Sequence, residues 1–209
     1  MQSREHWEKV YTTRSTEEVS WFQAHPEQSL SLIRATGAPH TAAIIDVGGG
    51  ASRLVDALLS EGYSSLSVLD ISGAALAACR ARLGSRAAEV DWIEGDVTRA
   101  EFPAGAFDVW HDRAVFHFLT EPGGRRRYVD TVLRAVKPGG HVIVATFAED
   151  GPEQCSGLPV MRYRPDQLQA EFGDAFTLLQ HEREAHRTPA GKTQSFVYCL
   201  FRRESQRPG

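Results

Sequence analysis

The chain has 209 residues, 42% of them hydrophobic and 24% charged, with 23 Lys and Arg against 27 Asp and Glu for a formal charge of −4. These figures predict one domain with a real core, and they argue against wholesale disorder and against a global electrostatic grip on nucleic acid. Three widely spaced cysteines with no CxxC pair, no apolar N-terminal signal and no apolar run of membrane-spanning length argue against a disulfide scaffold, secretion and membrane insertion, so a cytoplasmic setting is expected.

The first 40 residues are polar and aromatic. His6, Trp7, Val10 and Tyr11 have helical spacing, and a second helix is predicted from Pro26 to about Ala35. Past that point short apolar runs alternate with amphipathic segments. Ala42–Val47 reads as a buried strand ending at three glycines. A helix over Ser52–Leu59 follows, with Gly62 as its stop. Leu66–Leu69 is the second strand, closed by Asp70. Ser72 caps a helix reaching Gly84. Val90–Ile93 and Phe107–His111 are the third and fourth strands. A helix from about Gly124 is ended by Lys137-Pro138-Gly139-Gly140, and His141–Phe147 is the fifth strand. This alternation implies βαβ units and a mostly parallel sheet. After a helix at about Pro165–Phe172 the rhythm changes. Phe176–His181 and Ser195–Phe201 have no helix between them and read as an antiparallel pair closing one sheet edge. Glu182–Gln194 between them reads as a long loop, and His181 at its edge, Glu184 and His186 are expected to be solvated rather than metal ligands. Arg202–Gly209 reads as a polar tail. The resulting division is a helical cap or lid over 1–40, a core over 41–204 and a tail over 205–209.

The most informative stretch is Asp46-Val47-Gly48-Gly49-Gly50-Ala51-Ser52, between a strand and a helix. Glycines there let backbone approach a ligand closely, at the strand ends where open α/β sheets bind small molecules. Asp70, twenty residues past Gly50, can accept both hydroxyl protons of a ribose. A dinucleotide fingerprint would need a third glycine at position 53, where the residue is Arg53, and this weakens a nicotinamide reading.

Five segments in this order resemble the class I S-adenosylmethionine-dependent methyltransferases: Asp46-Val47-Gly48-Gly49-Gly50, Leu69-Asp70-Ile71-Ser72, Glu94-Gly95-Asp96-Val97, Phe107-Asp108-Val109-Trp110 and Lys137-Pro138-Gly139-Gly140. Ser52 stands where that family usually has a small third glycine. The resemblance implies a Rossmann-like, seven-stranded, mostly parallel sheet with an antiparallel final strand and helices on both faces. It implies S-adenosylmethionine as cofactor. Gly48, Gly49 and Gly50 would line its methionine end, Asp46 would orient that loop or the amino group, and Asp70 would hold the ribose. Ile71 would pack on the adenine, while Asp96 and the Val97 amide would meet the adenine edge. Each also has a plain structural alternative: Asp70 as a helix-cap carboxylate, Asp96 as the brace of its own turn.

Near the transferred methyl the candidates are His111, Asp112 and His117, with a histidine as base where the acceptor must lose a proton. Arg113 can clamp an anionic substrate or pair with a nearby acid. Cys155 reads as a small packing side chain or a nucleophile, and the aromatic residues Trp7, Tyr11, Trp21 and Phe22 as a water-excluding lid or ordinary packing. No separate recognition domain is visible, which favours a small-molecule acceptor. A protein-lysine acceptor and a non-catalytic cofactor-binding module are the alternatives, and no nucleic-acid or membrane partner is expected.

Overall fold

The computed structural model describes residues 4–205, so the first three residues of the expected cap and positions 206–209 of the expected tail lie outside the described residues. In chain order the elements are α1 (Arg4–Thr13), α2 (Glu27–Ala35), β1 (Ala43–Val47), α3 (Leu54–Ser60), β2 (Ser65–Asp70), α4 (Gly73–Leu83), β3 (Val90–Glu94) and β4 (Phe107–Arg113). They continue with α5 (Pro122–Ala135), β5 (Val136–Phe147), β6 (Gln154–Cys155), β7 (Leu158–Pro159), α6 (Pro165–Phe172), β8 (Phe176–Arg187) and β9 (Thr193–Arg203).

Seven strands form one sheet in the order β3-β2-β1-β4-β5-β9-β8. The pairs among β1 to β5 are parallel, and β9 runs antiparallel to both β5 and β8. Strand order reverses between β1 and β4. Chains leaving these two strands diverge there and leave a crevice beyond their carboxyl ends. Alternation along the strands feeds two apolar layers. Ile44, Val68 and Val109 face α2, α3 and α4, while Ile45, Leu69 and Trp110 face α5 and α6. Among the described residues no helix is long and apolar enough to cross a membrane.

Ser72 caps α4 as predicted, accepting from the Ala75 amide at 3.1 Å. The rest of that helix start is served from outside the core. Glu8 of α1 accepts from the Gly73 amide at 2.6 Å and lies 3.3 Å from that of Ala74, so a carboxylate meets the positive end of the α4 dipole. This contact, with an Arg4–Glu94 ion pair, docks α1 beside β2 and β3.

Three expectations are corrected, and one element is new. The fifth helix stops at Ala135, and Lys137-Pro138-Gly139-Gly140 lies inside β5, at a slip in its register with β4. A residue before proline is driven to extended backbone, so the strand begins ahead of the turn residues. The loop expected over Glu182–Gln194 is mostly strand: β8 runs on to Arg187 and β9 starts at Thr193. Its inner side chains are polar because a polar partner covers them. Gln28 meets Glu182 at 2.5 Å, Gln23 meets Glu184 at 2.7 Å, and the buried His186 sits 2.8 Å from the Ser20 carbonyl. His186 and Glu184 are therefore not in a solvated loop. Arg202 and Arg203 belong to β9 rather than to the tail. Finally, the β6–β7 hairpin was not predicted; its turn, Ser156-Gly157, has positive φ at both residues, as the two-residue hairpin turn requires.

On the α5 face, Tyr128 accepts from Trp110 Nε1 at 3.0 Å and donates to Asp112 Oδ2 at 2.6 Å, with all three side chains buried. Tyr128→Phe leaves a buried indole N–H without its acceptor and a carboxylate short of a donor. Urea unfolding is expected to show a loss of about 1–3 kcal/mol; a change under about 0.5 kcal/mol would mean that this network contributes little to stability.

Candidate active site

The site begins at the β1 exit. Gly48 has φ +71°, its amide donates to the Leu69 carbonyl at 2.7 Å, and a Cβ there would overlap the Val115 side chain. Only glycine combines that backbone with that approach. Gly49 lies over the Asp46 carboxylate. The Gly50 amide donates to Asp70 Oδ2 at 3.0 Å, and a Cβ on Gly50 would lie 2.6 Å from that of Ala75. Ser52 sits without strain where a third glycine was expected, its hydroxyl accepting from the Leu54 amide at 3.0 Å to start α3.

Asp70 is buried, and its second oxygen accepts from the Ser72 amide at 2.9 Å. Burial pushes its carboxyl up to about 6, against the opposing pull of these backbone donors. Asp70 thus both braces the glycine turn and lines the main cavity, where Ile71 and Val97 also lie. Asp96 behaves differently. Its Oδ1 accepts from both the amide and the hydroxyl of Thr98 at 2.7 Å, which is the turn-bracing alternative, and the cavity wall there is formed by its neighbours Gly95 and Val97.

Asp46 and His111 are neighbours across β1 and β4. Asp46 Oδ1 lies 2.7 Å from His111 Nδ1, and His111 Nε2 lies 2.9 Å from the hydroxyl of Ser29 on α2. All three are buried. The other Asp46 oxygen is buried without a hydrogen-bond partner among the described residues. Ser29 was not anticipated, since nothing in a lone helical serine marks it.

Asp112 and His117, expected near the reactive methyl, are placed elsewhere. Adjacent strand residues point to opposite faces, so Asp112 turns away from His111 into the α5 layer. There it accepts from Tyr128 and from the amides of Val115 and Phe116, with its carboxyl raised to about 6 by burial. His117 is fully buried, against Phe118 and Phe147. Burial, helped by the Arg113 charge, pulls it down to about 3, so it is neutral and out of reach as a base.

The main cavity holds about 730 Å³ of free space, counting that open to solvent at its mouth, which suits a small-molecule site. One wall carries Gly48, Asp70, Ile71 and Val97. The facing wall carries Trp7, Tyr11, Trp21, Phe118 and Cys155. Trp7 packs edge-on against Trp21 and Phe118 with ring centroids 5.7 and 5.1 Å apart, and Tyr11 against Trp21 at 6.2 Å. The aromatic residues Trp7, Tyr11 and Trp21 therefore line the crevice as well as pack. Phe22 instead lines a smaller adjoining cavity, together with Ser29, Asp46 and His111. Trp21, Gly48 and Arg113 border both cavities. Cys155 is buried and its thiol pushed up to about 12, which leaves it protonated and unsuited to attack. Among the described residues no cluster of His, Cys, Asp and Glu is arranged to hold a metal ion.

Residues 44–140 match the family model described as a methyltransferase domain. The mouse eEF1A lysine and N-terminal methyltransferase is 26% identical over 153 residues, covering 70% of this chain but only 22% of that relative's length. A ubiquinone/menaquinone biosynthesis C-methyltransferase of Roseobacter denitrificans is 28% identical over 109 residues, 51% of this chain and 42% of the relative. Among solved structures, the Burkholderia thailandensis 1,6-didemethyltoxoflavin-N1-methyltransferase, with its substrate and S-adenosylhomocysteine bound, is similar with a TM-score of 0.69. It is 19% identical and covers 97% of this chain and 84% of its own. A structure from work on conversion of a disulfide bond into a thioacetal group during echinomycin biosynthesis has a TM-score of 0.79 at 19% identity, covering 98% of this chain and 94% of its own.

A buried neutral histidine has a measurable signature. The folded-state value of His117, about 3, lies below its ordinary 6.5, so its contribution is fully present above 6.5 and is lost as pH falls toward 3. His117→Gln is expected to make the loss of stability over that acid range shallower than in the parent, as read from urea midpoints against pH. An unchanged slope would show that His117 is not held neutral.

Proposed function

We propose that this chain, which belongs to the class I S-adenosylmethionine-dependent methyltransferases, transfers the methyl group to a small-molecule acceptor. The observation that carries the choice of acceptor is the roof. Trp7, Tyr11 and Trp21 cover the crevice that holds Gly48 and Asp70, and the chain is fastened there by Glu8 and by hydrogen bonds to β8. A roofed cavity encloses a metabolite and obstructs an extended polypeptide. The protein-lysine reading keeps one supporting observation, the 26% identity to the eEF1A methyltransferase. Incubation with methyl-tritiated donor and a whole-cell extract decides between them: label in the low-molecular-weight fraction supports the small acceptor, and label confined to a protein band overturns it.

The residues present fit the cofactor. The Asp46 carboxylate has one buried oxygen unpartnered among the described residues, Gly49 leaves no room for a Cβ beside it, and Asp70 lines the cavity. When bound, the cofactor supplies an electrophilic methyl on a sulfonium. The free Asp46 oxygen would take the ammonium of its methionine end, beside Gly48, Gly49 and Gly50. Asp70 would accept from the ribose hydroxyls, and Ile71 and Val97 would pack about the adenine. Asp96, occupied by Thr98, would reach the adenine amino group only through its remaining oxygen. His111 has both ring nitrogens engaged, so its role in this reading is to hold Asp46 rather than to act as a base. Asp112 and His117 support the fold behind the site. The protein's share of the rate is alignment and exclusion of water by the aromatic roof.

Asp70 gives this reading a pH signature. Its carboxyl titrates near 6, and only the ionised form accepts from both ribose hydroxyls. Affinity for S-adenosylhomocysteine is therefore expected to fall between about pH 7 and about pH 5, by up to about tenfold per unit below the titration point. Asp70→Asn should bind more weakly and lose that dependence. Calorimetric affinity that stays flat over the range in the parent would sink the ribose assignment.

A further inference from the structure

Arg113 closes β4 and borders both cavities. Its side chain is only 10% exposed. Nε donates to the Tyr198 hydroxyl at 2.7 Å, Nη1 donates to the Trp21 carbonyl at 2.9 Å, and the guanidinium lies 4.3 Å from the centre of the Phe196 ring. Nη2 is buried with no hydrogen-bond partner among the described residues. Glu184 Oε2, 3.5 Å away, makes an ion-pair contact outside hydrogen-bond geometry. A guanidinium carries five N–H donors in a rigid fork. A buried donor left without an acceptor at a cavity wall costs stability and points to an acceptor brought by a ligand.

The rest of the main cavity wall sets the character of that ligand. Its acceptor end is apolar, formed by Trp7, Trp21, Phe118 and Cys155, and among the described residues Arg113 is the only cationic side chain in the lining. No group there serves as a base. Burial raises both the Tyr11 phenol and the Cys155 thiol, and the Asp70 carboxylate, braced by the Gly50 and Ser72 amides, is committed to the ribose in the methyltransferase reading. A nucleophile that needed deprotonation inside the cavity would find no partner, whereas one that arrives ionised needs none.

We propose that the acceptor is a small apolar molecule bearing an anionic group, such as an acidic thiol, a phenol or a carboxylic acid, and that Arg113 receives that group through its free Nη2 edge. The proposal rests on the methyltransferase reading. The anionic atom of the acceptor supplies the electron pair for the new bond to the methyl carbon, the sulfur–carbon bond breaks with its pair returning to sulfur, and the two opposite charges cancel without transfer of a proton. Arg113 is thereby a specificity-determining residue: it favours an anion in a cavity whose aromatic walls alone would accept a cation as readily.

The test uses matched probes of one size: 4-nitrothiophenolate and 4-nitrobenzoate as anions, 4-nitrobenzamide as the neutral member and 4-nitrobenzylamine as the cation. Their affinities are measured calorimetrically on the full chain saturated with S-adenosylhomocysteine, and methylation of the thiolate is followed with the methyl donor. The anions are expected to bind about tenfold tighter or better than the amide and the amine. Arg113→Met should erase that preference while affinity for S-adenosylhomocysteine stays within about twofold, and Arg113→Lys should retain part of it. Equal or tighter binding of the amine or amide overturns the proposal, as does failure of every probe to bind. A loss of S-adenosylhomocysteine affinity in both variants also overturns it, by assigning Arg113 to the carboxylate of the cofactor. Should Arg113→Met not fold, the charge preference of the parent decides alone. A parent chain that does not bind S-adenosylhomocysteine at all would refute the methyltransferase reading instead, so the two failures are distinct.

Discussion

Everything at the site follows from the passage of backbone between β1 and α3. Gly48 turns with positive φ against Val115, and Gly50 passes within contact distance of Ala75 and the Asp70 carboxylate. Side chains at either position would push β1 away from β4 or α4 away from the turn. The reversal of strand order at β1 and β4 opens the crevice, and the glycine turn keeps it open by contributing only main chain to its floor. Asp70 holds that main chain from one side, through Gly50, and the start of α4 from the other, through Ser72. A carboxylate buried for that purpose also lines the main cavity.

The roof is fastened unevenly. At Trp21 it is held by polar contacts into the sheet: Arg113 to the Trp21 carbonyl, His186 to that of Ser20, Gln23 to Glu184. At α1 it is held by Glu8 on the start of α4, by His6 at 3.3 Å from Ser156, by a surface ion pair and by aromatic edges, with Val10 of that helix buried and Trp7 and Tyr11 half-buried. Surface ion pairs add little. Local opening costs least where few apolar contacts are buried, so α1 is the part of the roof that the fold holds most weakly.

Much of this was legible in the sequence because the core obeys period rules. The strands β1 to β4, the carboxyl half of β5, the Ser72 cap, the stop at Gly62 and the α6 bounds all follow from apolar spacing, glycine and proline. The far edge was legible only in kind. β8 alternates Glu182, Glu184 and His186, whose partners Gln28, Gln23 and Ser20 lie more than 150 positions away, so no local apolar signal marks their half-burial. The chemistry of the strand-four exit was misjudged for a local reason. His111 and Asp112 were grouped as one polar island, yet consecutive residues of a strand cannot share a face. Only His111 and Arg113 lie on the crevice side, and the period of two already separates them from Asp112. His117 was undetermined by sequence, because a short turn after Ala114 carries it into the interior, and Ala114 has φ +70°.

Two carboxylates, Asp70 and Asp112, are raised alike to about 6 by burial. A displaced titration is often taken as a pointer to function, and here it does not discriminate. Asp112 is enclosed by Tyr128 and two amides on the α5 face, with no route to a ligand. Asp70 has nearly the same donor environment but lines the cavity. What separates a structural carboxylate from a binding one is therefore which side of the sheet it faces and whether free space adjoins it. The same criterion raises Arg113 above Arg82. Arg82 is also partly buried, but its guanidinium is answered by Asp56, by the Ser52 carbonyl and by Cys79. Arg113 lines the cavity and keeps one buried nitrogen that faces Glu184 at 3.5 Å without a hydrogen bond among the described residues, and a donor left so at a cavity-lining residue is the stronger pointer to a ligand.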